Sequence, residues 1–295
     1  MNNLNRIRIA GLAVLLLVMA GSPAFAQVDL TGVWNPLMHE DQAERAPGPD
    51  VGDYLGLPIN DAGRMRGETW DASILTLSEH TCKPHPSTYG PRGVGGWRIR
   101  YFHDPVSEAL VKIDGQIQWM EQYREIWMDG RPHPPAHAPH TWQGFSTGRF
   151  EGNVLVVDTT HLKAGWIRRN GIALSDRTIM QERFFRHGNY LTHTSYIWDP
   201  VYFSEPIVRT NGFALNVNTT GIAPYPCLPA TEVVHARGDV PHRLPGTSGY
   251  VEEFAKKHNL PVEAVRGGAE TAYPEFMRRF ANRPAGNRTG TGGGQ

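Results

Sequence analysis

The chain has little of several things that would assign it a chemistry. Of 295 residues only two are cysteine, Cys82 and Cys227, and neither stands in a Cys-x-x-Cys spacing, which leaves little for a two-cysteine metal site. No nucleotide or flavin fingerprint occurs, so cofactor-dependent redox chemistry is not expected. Ser146 is not set in a Gly-x-Ser-x-Gly elbow, which argues against a hydrolase nucleophile there. A charge excess is missing too: 29 basic residues balance 29 acidic ones and no basic stripe forms, so nucleic acid is not an expected partner.

Long apolar runs are likewise short of a membrane span. The run from Ile9 to Ala20 is well below the roughly twenty residues of a transmembrane helix. It follows Arg6 and Arg8 and precedes Ala24-Phe25-Ala26, so residues 1–26 read as a cleavable export signal, with no stable membrane insertion afterwards. The mature chain then carries a net charge of about −2 and is placed in the periplasm or outside the cell. In that oxidising setting a Cys82–Cys227 disulfide is the default, two buried thiols being the alternative.

What is present is a succession of strand signals. Residues 27–94 are irregular and rich in Pro, Gly and acids, with one opening strand at Asp29–Trp34, and are expected to wrap a core formed later. Across 95–235 apolar residues alternate between short turns, predicting strands at Arg98–His103, Leu110–Ile113 and Gln116–Met128, the last two joined by an Asp114-Gly115 turn. Two hairpins follow, one turning at Glu151-Gly152 and one at Gly188-Asn189. The expected fold is mainly β, an antiparallel up-and-down meander curling into a small lipocalin-like barrel. Residues 236–284 predict short helices at Ser248–His258, Pro261–Gly267 and Tyr273–Phe280, and the Gly-rich 285–295 a disordered tail.

Hairpin register converts these strands into neighbourhoods. A two-residue Gly188-Asn189 turn puts Phe184 opposite His193 and Glu182 opposite Ser195, on one inward face with Met180, Leu191 and Ile197. Glu182 and His193 are then diagonal neighbours, an arrangement in which each partner draws the other's pKa toward working pH. The same arithmetic pairs Trp142 with His161, Phe145 with Asp158 and Arg149 with Val154, with Ser146 and His161 on one face. His133, His137 and His140 lie among prolines that forbid a helix, so only a loop would bring them to a metal.

The blocks Cys82–Arg92, Met128-Asp129-Gly130-Arg131-Pro132-His133-Pro134, His140–Arg149, Thr159–Lys163, Asp199–Tyr202 and Arg266–Thr271 together resemble a family of exported bacterial proteins of unknown function. The resemblance implies a secreted, mostly β protein and brings no activity with it.

Three readings follow. In the first, the barrel holds a small apolar or aromatic molecule against Trp127, Trp142, Ser146 and Phe184. Its enzyme version uses Glu182 and His193 for lyase, hydratase or isomerase chemistry, without a cofactor, with Arg131 or His161 stabilising negative charge. The second is a noncatalytic envelope protein presenting Glu252–Phe254 and Tyr273–Phe276 to a protein partner. The third is a metal-dependent enzyme using His133, His137 and His140.

Overall fold

The computed structural model describes residues 28–38, 49–71, 73–74, 82, 84–92, 95–118, 122–167, 170–223, 227, 234 and 236–280. The expected export signal, residues 1–26, and the Gly-rich 285–295 lie outside these residues. Alternation of buried and exposed side chains makes the strands, as in β9 (Ile179–His187) and β10 (Tyr190–Trp198), where Met180, Glu182, Phe184, Leu191, His193, Ser195 and Ile197 all point inward. This hairpin has the register expected of a Gly188-Asn189 turn, His187 facing Tyr190 and Phe184 facing His193.

The hairpin of β5 (Phe145–Glu151) and β6 (Val154–Thr160) turns one residue later than expected, at Gly152-Asn153. Glu151 stays in the strand, its carboxylate held by Arg149 and Arg183, while Gly152 takes the left-handed turn conformation. Phe145 therefore faces Thr160 rather than Asp158, and Arg149 faces Val156 rather than Val154. The offset is two residues in pairing, an even number, so Ser146, Leu155, Val157 and Thr159 still face inward. Trp142 and His161 precede and follow the strands and do not pair.

A larger correction concerns the preceding strands. The Asp114-Gly115 turn does not form: β3 runs from Leu110 to Ile117 and β4 from Gln122 to Trp127, so the long Gln116–Met128 strand is split. Gly115 is inside a strand because the Trp97 indole of β2 (Trp97–His103) lies against it, where a β-carbon would sit 2.6 Å from Trp97 Nε1.

Nine strands close a barrel in the order β1-β11-β10-β9-β6-β5-β4-β3-β2. The closing strand β1 (Gly32–Leu37) comes from the segment read as irregular wrap, and pairs antiparallel with both β2 and β11 (Ile207–Leu215). The opening strand expected at Asp29–Trp34 overlaps it, and its closing role is set by partners far away in sequence. Every neighbouring pair is antiparallel except β4 and β5, which run parallel for only two residue pairs, Ile126↔Ser146 and Trp127↔Thr147. A parallel neighbour needs a long crossover, supplied by the proline-rich loop 128–144.

Two apolar clusters stabilise the molecule. One fills the barrel, with Trp34, Trp97, Ile113, Leu155, Phe184 and Phe213 at its centre. The other seals one end, where Met180, Ile197 and Ile207 meet Tyr54, Ile59, Ile167 and Ile172. The two-stranded pair β7 (Gly165–Trp166) and β8 (Ala173–Leu174) and helices α1 (Asp61–Glu68) and α2 (Tyr250–His258) belong to this end. Short helices α3 (Val262–Val265) and α4 (Pro274–Arg278) follow. Phe254 packs on this cluster and Phe276 is buried, so of the stretches expected to face a partner only Glu252, Glu253 and Tyr273 to Glu275 stay exposed.

Cys82 and Cys227 form the expected disulfide, with α-carbons 5.5 Å apart. No helix among the described residues is long and apolar enough to cross a membrane. Charged Arg149, Asp158 and Arg183 lie on the outer side of the barrel wall, and the apolar cluster fills the inside.

The contact between Gly115 and Trp97 sets a test. Gly115→Ala should destabilise the protein by about 1–3 kcal/mol through overpacking, read as a lower urea midpoint with an unchanged slope.

Candidate functional site

Inside the apolar barrel sits a chain of polar side chains contributed by six strands. Arg124 of β4 reaches across the lumen and grips Glu182 of β9 with both terminal nitrogens, Nη1 to Oε1 at 2.9 Å and Nη2 to Oε2 at 2.5 Å. Its remaining donors are taken by Thr159 of β6, at 2.7 Å from Nη2, and by Ser146 of β5, at 3.2 Å from Nε and 3.1 Å from Nη2. His193 Nε2 of β10 donates to Glu182 Oε1 at 2.9 Å, and Asn211 Nδ2 of β11 donates to His193 Nδ1 at 3.2 Å. Both imidazole nitrogens of His193 are thereby partnered, one by the carboxylate and one by the amide. Trp97 and Phe184 pack on the imidazole, with ring centroids 5.8 and 4.7 Å away.

Arg124, Glu182 and His193 are at most 3 % exposed. Burial alone would raise the Glu182 pKa, but the Arg124 charge and the hydrogen bonds from His193 and Arg124 outweigh it and hold the carboxyl at about 2. The expectation that Glu182 is drawn toward working pH is thereby corrected. Hydrogen bonding of the pair is as expected; the third member, Arg124, reverses the sign of the shift. A carboxylate held this far below neutrality is a weak general base.

Ser146 belongs both to this network and to the lining of a cleft in the barrel wall. Where β4 and β5 separate after two pairs, Gln122, Tyr123 and Glu125 lose a neighbour on that side and a cleft of about 480 Å³ opens. Tyr123, Trp127, Trp142 and Phe145 supply aromatic surface; Gln122, Glu125, Thr141, Gln143 and Ser146 supply polar groups. Gln143 Nε2 donates to Gln122 Oε1 at 3.0 Å and to the His85 carbonyl at 2.8 Å, which ties the 84–92 segment to the cleft. Cations hold two of the rings: the Arg131 guanidinium lies 3.5 Å from the Trp127 centroid, and the Lys163 ammonium 5.6 Å from that of Trp142.

The residues read as functional therefore divide. Trp127, Trp142 and Ser146 meet in the cleft, while Phe184 is core. Glu182 and His193 meet in the lumen. Arg131 pairs with Asp129 at the surface, and His161 lies on the outer side with Nε2 donating to the Pro135 carbonyl at 3.1 Å. Neither joins Glu182 and His193, because both belong to the crossover loop and its anchor outside the barrel wall.

The three loop histidines also go separate ways. His133 uses both ring nitrogens on the Thr160 and Thr147 hydroxyls, at 2.7 and 2.8 Å, and burial lowers its pKa. His140 Nδ1 donates to the Leu162 carbonyl at 2.9 Å, and His137 is exposed. Among the described residues no set of three His, Cys, Asp or Glu side chains is placed to hold a metal ion.

Sequence reasoning missed Arg124, Asn211, Thr159, Gln122 and Tyr123. Arg124 does share a strand face with Gln122 and Ile126, so its burial had a signal, but its partner across the lumen had none.

Removing one member of the buried ion pair leaves the other uncompensated. Arg124→Met should cost about 3–5 kcal/mol, with part of the loss recovered in Arg124→Met/Glu182→Leu, measured by denaturant unfolding. Because the folded-state pKa of Glu182 lies below its ordinary 4.5, its ionised form stabilises the fold fully above that pH and progressively less toward pH 2. Stability should therefore fall through that window, and Glu182→Gln should flatten the fall.

Compared with protein-family models, curated proteins and solved structures, the chain matches none of them.

Proposed function

We propose that this is an exported barrel protein that binds a small, flat aromatic molecule in the cleft between β4 and β5. One observation carries the reading: four aromatic side chains, Tyr123, Trp127, Trp142 and Phe145, converge on a 480 Å³ opening beside the polar groups of Gln122, Glu125, Thr141, Gln143 and Ser146. Apolar walls with a small number of orienting polar atoms are the usual composition of a small-molecule site. The lumen network gives the cleft a rigid floor, since Ser146 is held by both Arg124 and Thr159. Binding rather than acid–base turnover fits this floor, because Glu182 is ionised, sealed and hydrogen-bonded at both oxygens.

Export is supported by the arginine-led apolar run ending in Ala24-Phe25-Ala26 and by the Cys82–Cys227 disulfide, which suits an oxidising compartment. On the motif blocks quoted above, we place the chain with the exported bacterial family it resembles.

Tryptophan fluorescence of the mature protein, titrated with indole, phenol and 2-naphthol, tests the site. At least one probe should bind saturably, and Tyr123→Ala and Trp142→Ala should each weaken it ten-fold or more, about 1.4 kcal/mol, without changing the far-UV spectrum. Saturable binding to neither protein nor variants, or binding that both substitutions leave intact, would overturn the proposal.

A further inference from the structure

A second concavity, of about 570 Å³, lies on the outer surface of the barrel and has no part in the cleft. It is lined by His133, Asp158, Ile179, Gln181, Tyr196 and Trp198 among others. Side chains facing outward from adjacent strands form a continuous row here: Thr147 faces Asp158, Asp158 faces Gln181, Gln181 faces Tyr196, and Tyr196 faces Val208. Strands about 4.8 Å apart place Asp158 and Tyr196 roughly 10 Å from one another along this row. Trp198 stands two residues from Tyr196 on the same face of β10, opposite Ile179.

The polar half of the row is built rather than merely solvated. Arg149 Nη1 donates to Asp158 Oδ2 at 2.6 Å and Gln181 Nε2 donates to Asp158 Oδ1 at 2.8 Å. The carboxylate is thereby fixed and its charge matched, yet each oxygen keeps acceptor capacity, and the Gln181 amide oxygen is directed away from that bond. His133 is oriented by Thr147 and Thr160, and Thr160 in turn meets His161 Nδ1 at 2.7 Å. Residues from three separated blocks, around His133, Thr147 and Asp158–His161, thus meet at one edge of the groove. The other half is aromatic and open: Tyr196 is 40 % and Ile179 48 % exposed.

A ligand for this row must present an apolar face to two aromatic rings and hydrogen-bond donors to charge-matched acceptors alongside them. A pyranose ring does both, through its C–H face and its hydroxyls. A simple cation would gain from the rings but would meet a carboxylate already neutralised by Arg149. We propose that the outer groove binds a neutral oligosaccharide, Tyr196 and Trp198 stacking on sugar rings and Asp158 and Gln181 accepting from their hydroxyls. The span of the row suits about two linked rings.

The test is titration of the full mature protein with cellohexaose, chitohexaose and maltohexaose, followed by isothermal calorimetry and amide chemical shifts. At least one should bind, shifting residues of β9 and β10. Tyr196→Ala should weaken it ten-fold or more and Gln181→Leu several-fold, whereas Tyr123→Ala, in the aromatic cleft, should leave it unchanged. The exposed position of Tyr196 makes its variant safe to fold, and near-UV circular dichroism checks this. Absence of binding by all three hexaoses at millimolar concentration would overturn the inference. So would binding insensitive to Tyr196→Ala, or Tyr196-dependent capture of an oligoarginine peptide in place of any sugar.

Discussion

The barrel is organised around a charge it had to neutralise. Arg124 and Glu182 sit where Trp97, Leu155, Phe184 and Phe213 exclude water, and an isolated ion there would cost several kcal/mol. The two-point grip between guanidinium and carboxylate answers that cost, and the hydroxyls of Ser146 and Thr159 and the imidazole of His193 use up most of the donors and acceptors left over. Because those groups come from β4, β5, β6, β9 and β10, satisfying one ion pair sets the relative positions of five strands. A register slip in any of them would strand a buried charge, so the network specifies the barrel as well as occupying it.

The weakest seam in the wall is also where the chemistry becomes accessible. Antiparallel ladders close most of the circumference, but the crossover loop delivers β5 parallel to β4, and the ladder lasts for two pairs. The gap exposes Tyr123, and Trp142 and Gln143 enter it from the turn before β5, Gln143 donating to buried Gln122. Cleft and lumen share Ser146, whose hydroxyl faces the buried guanidinium while the residue borders the opening. Rigidity behind and aromatic surface in front are the conditions for a preorganised small-molecule site.

Local chemistry explains which features could be read in advance. The β9–β10 hairpin has unbroken alternation and a Gly-Asn turn, so its register, its inward face and the meeting of Glu182 with His193 were all legible. At β5–β6 the turn moved by one residue because two candidate glycine dipeptides overlap, and parity protected the face. Asp114-Gly115 has the composition of a hairpin turn but occupies a strand, because what governs it is the Trp97 ring from β2 rather than the residues beside it. Strand β1 was expected near Asp29–Trp34, but its closing role was not, because its pairing depends on β2 and β11, and β11 lies far from it in sequence.

Residue order and turn composition by themselves determined the mainly β class, the alternation that puts apolar side chains in the lumen, and the pairing of the only two cysteines, since all of these depend on neighbours or on there being a single partner. Tertiary structure alone decided that Arg124 is the counter-ion of Glu182, that the loop histidines bind hydroxyls and carbonyls in separate places, and that Trp127 and Trp142 face a common cleft. Those outcomes depend on which strands become adjacent when the sheet closes, and closure is set by the packing and charge satisfaction of the whole lumen, which no local window of sequence contains.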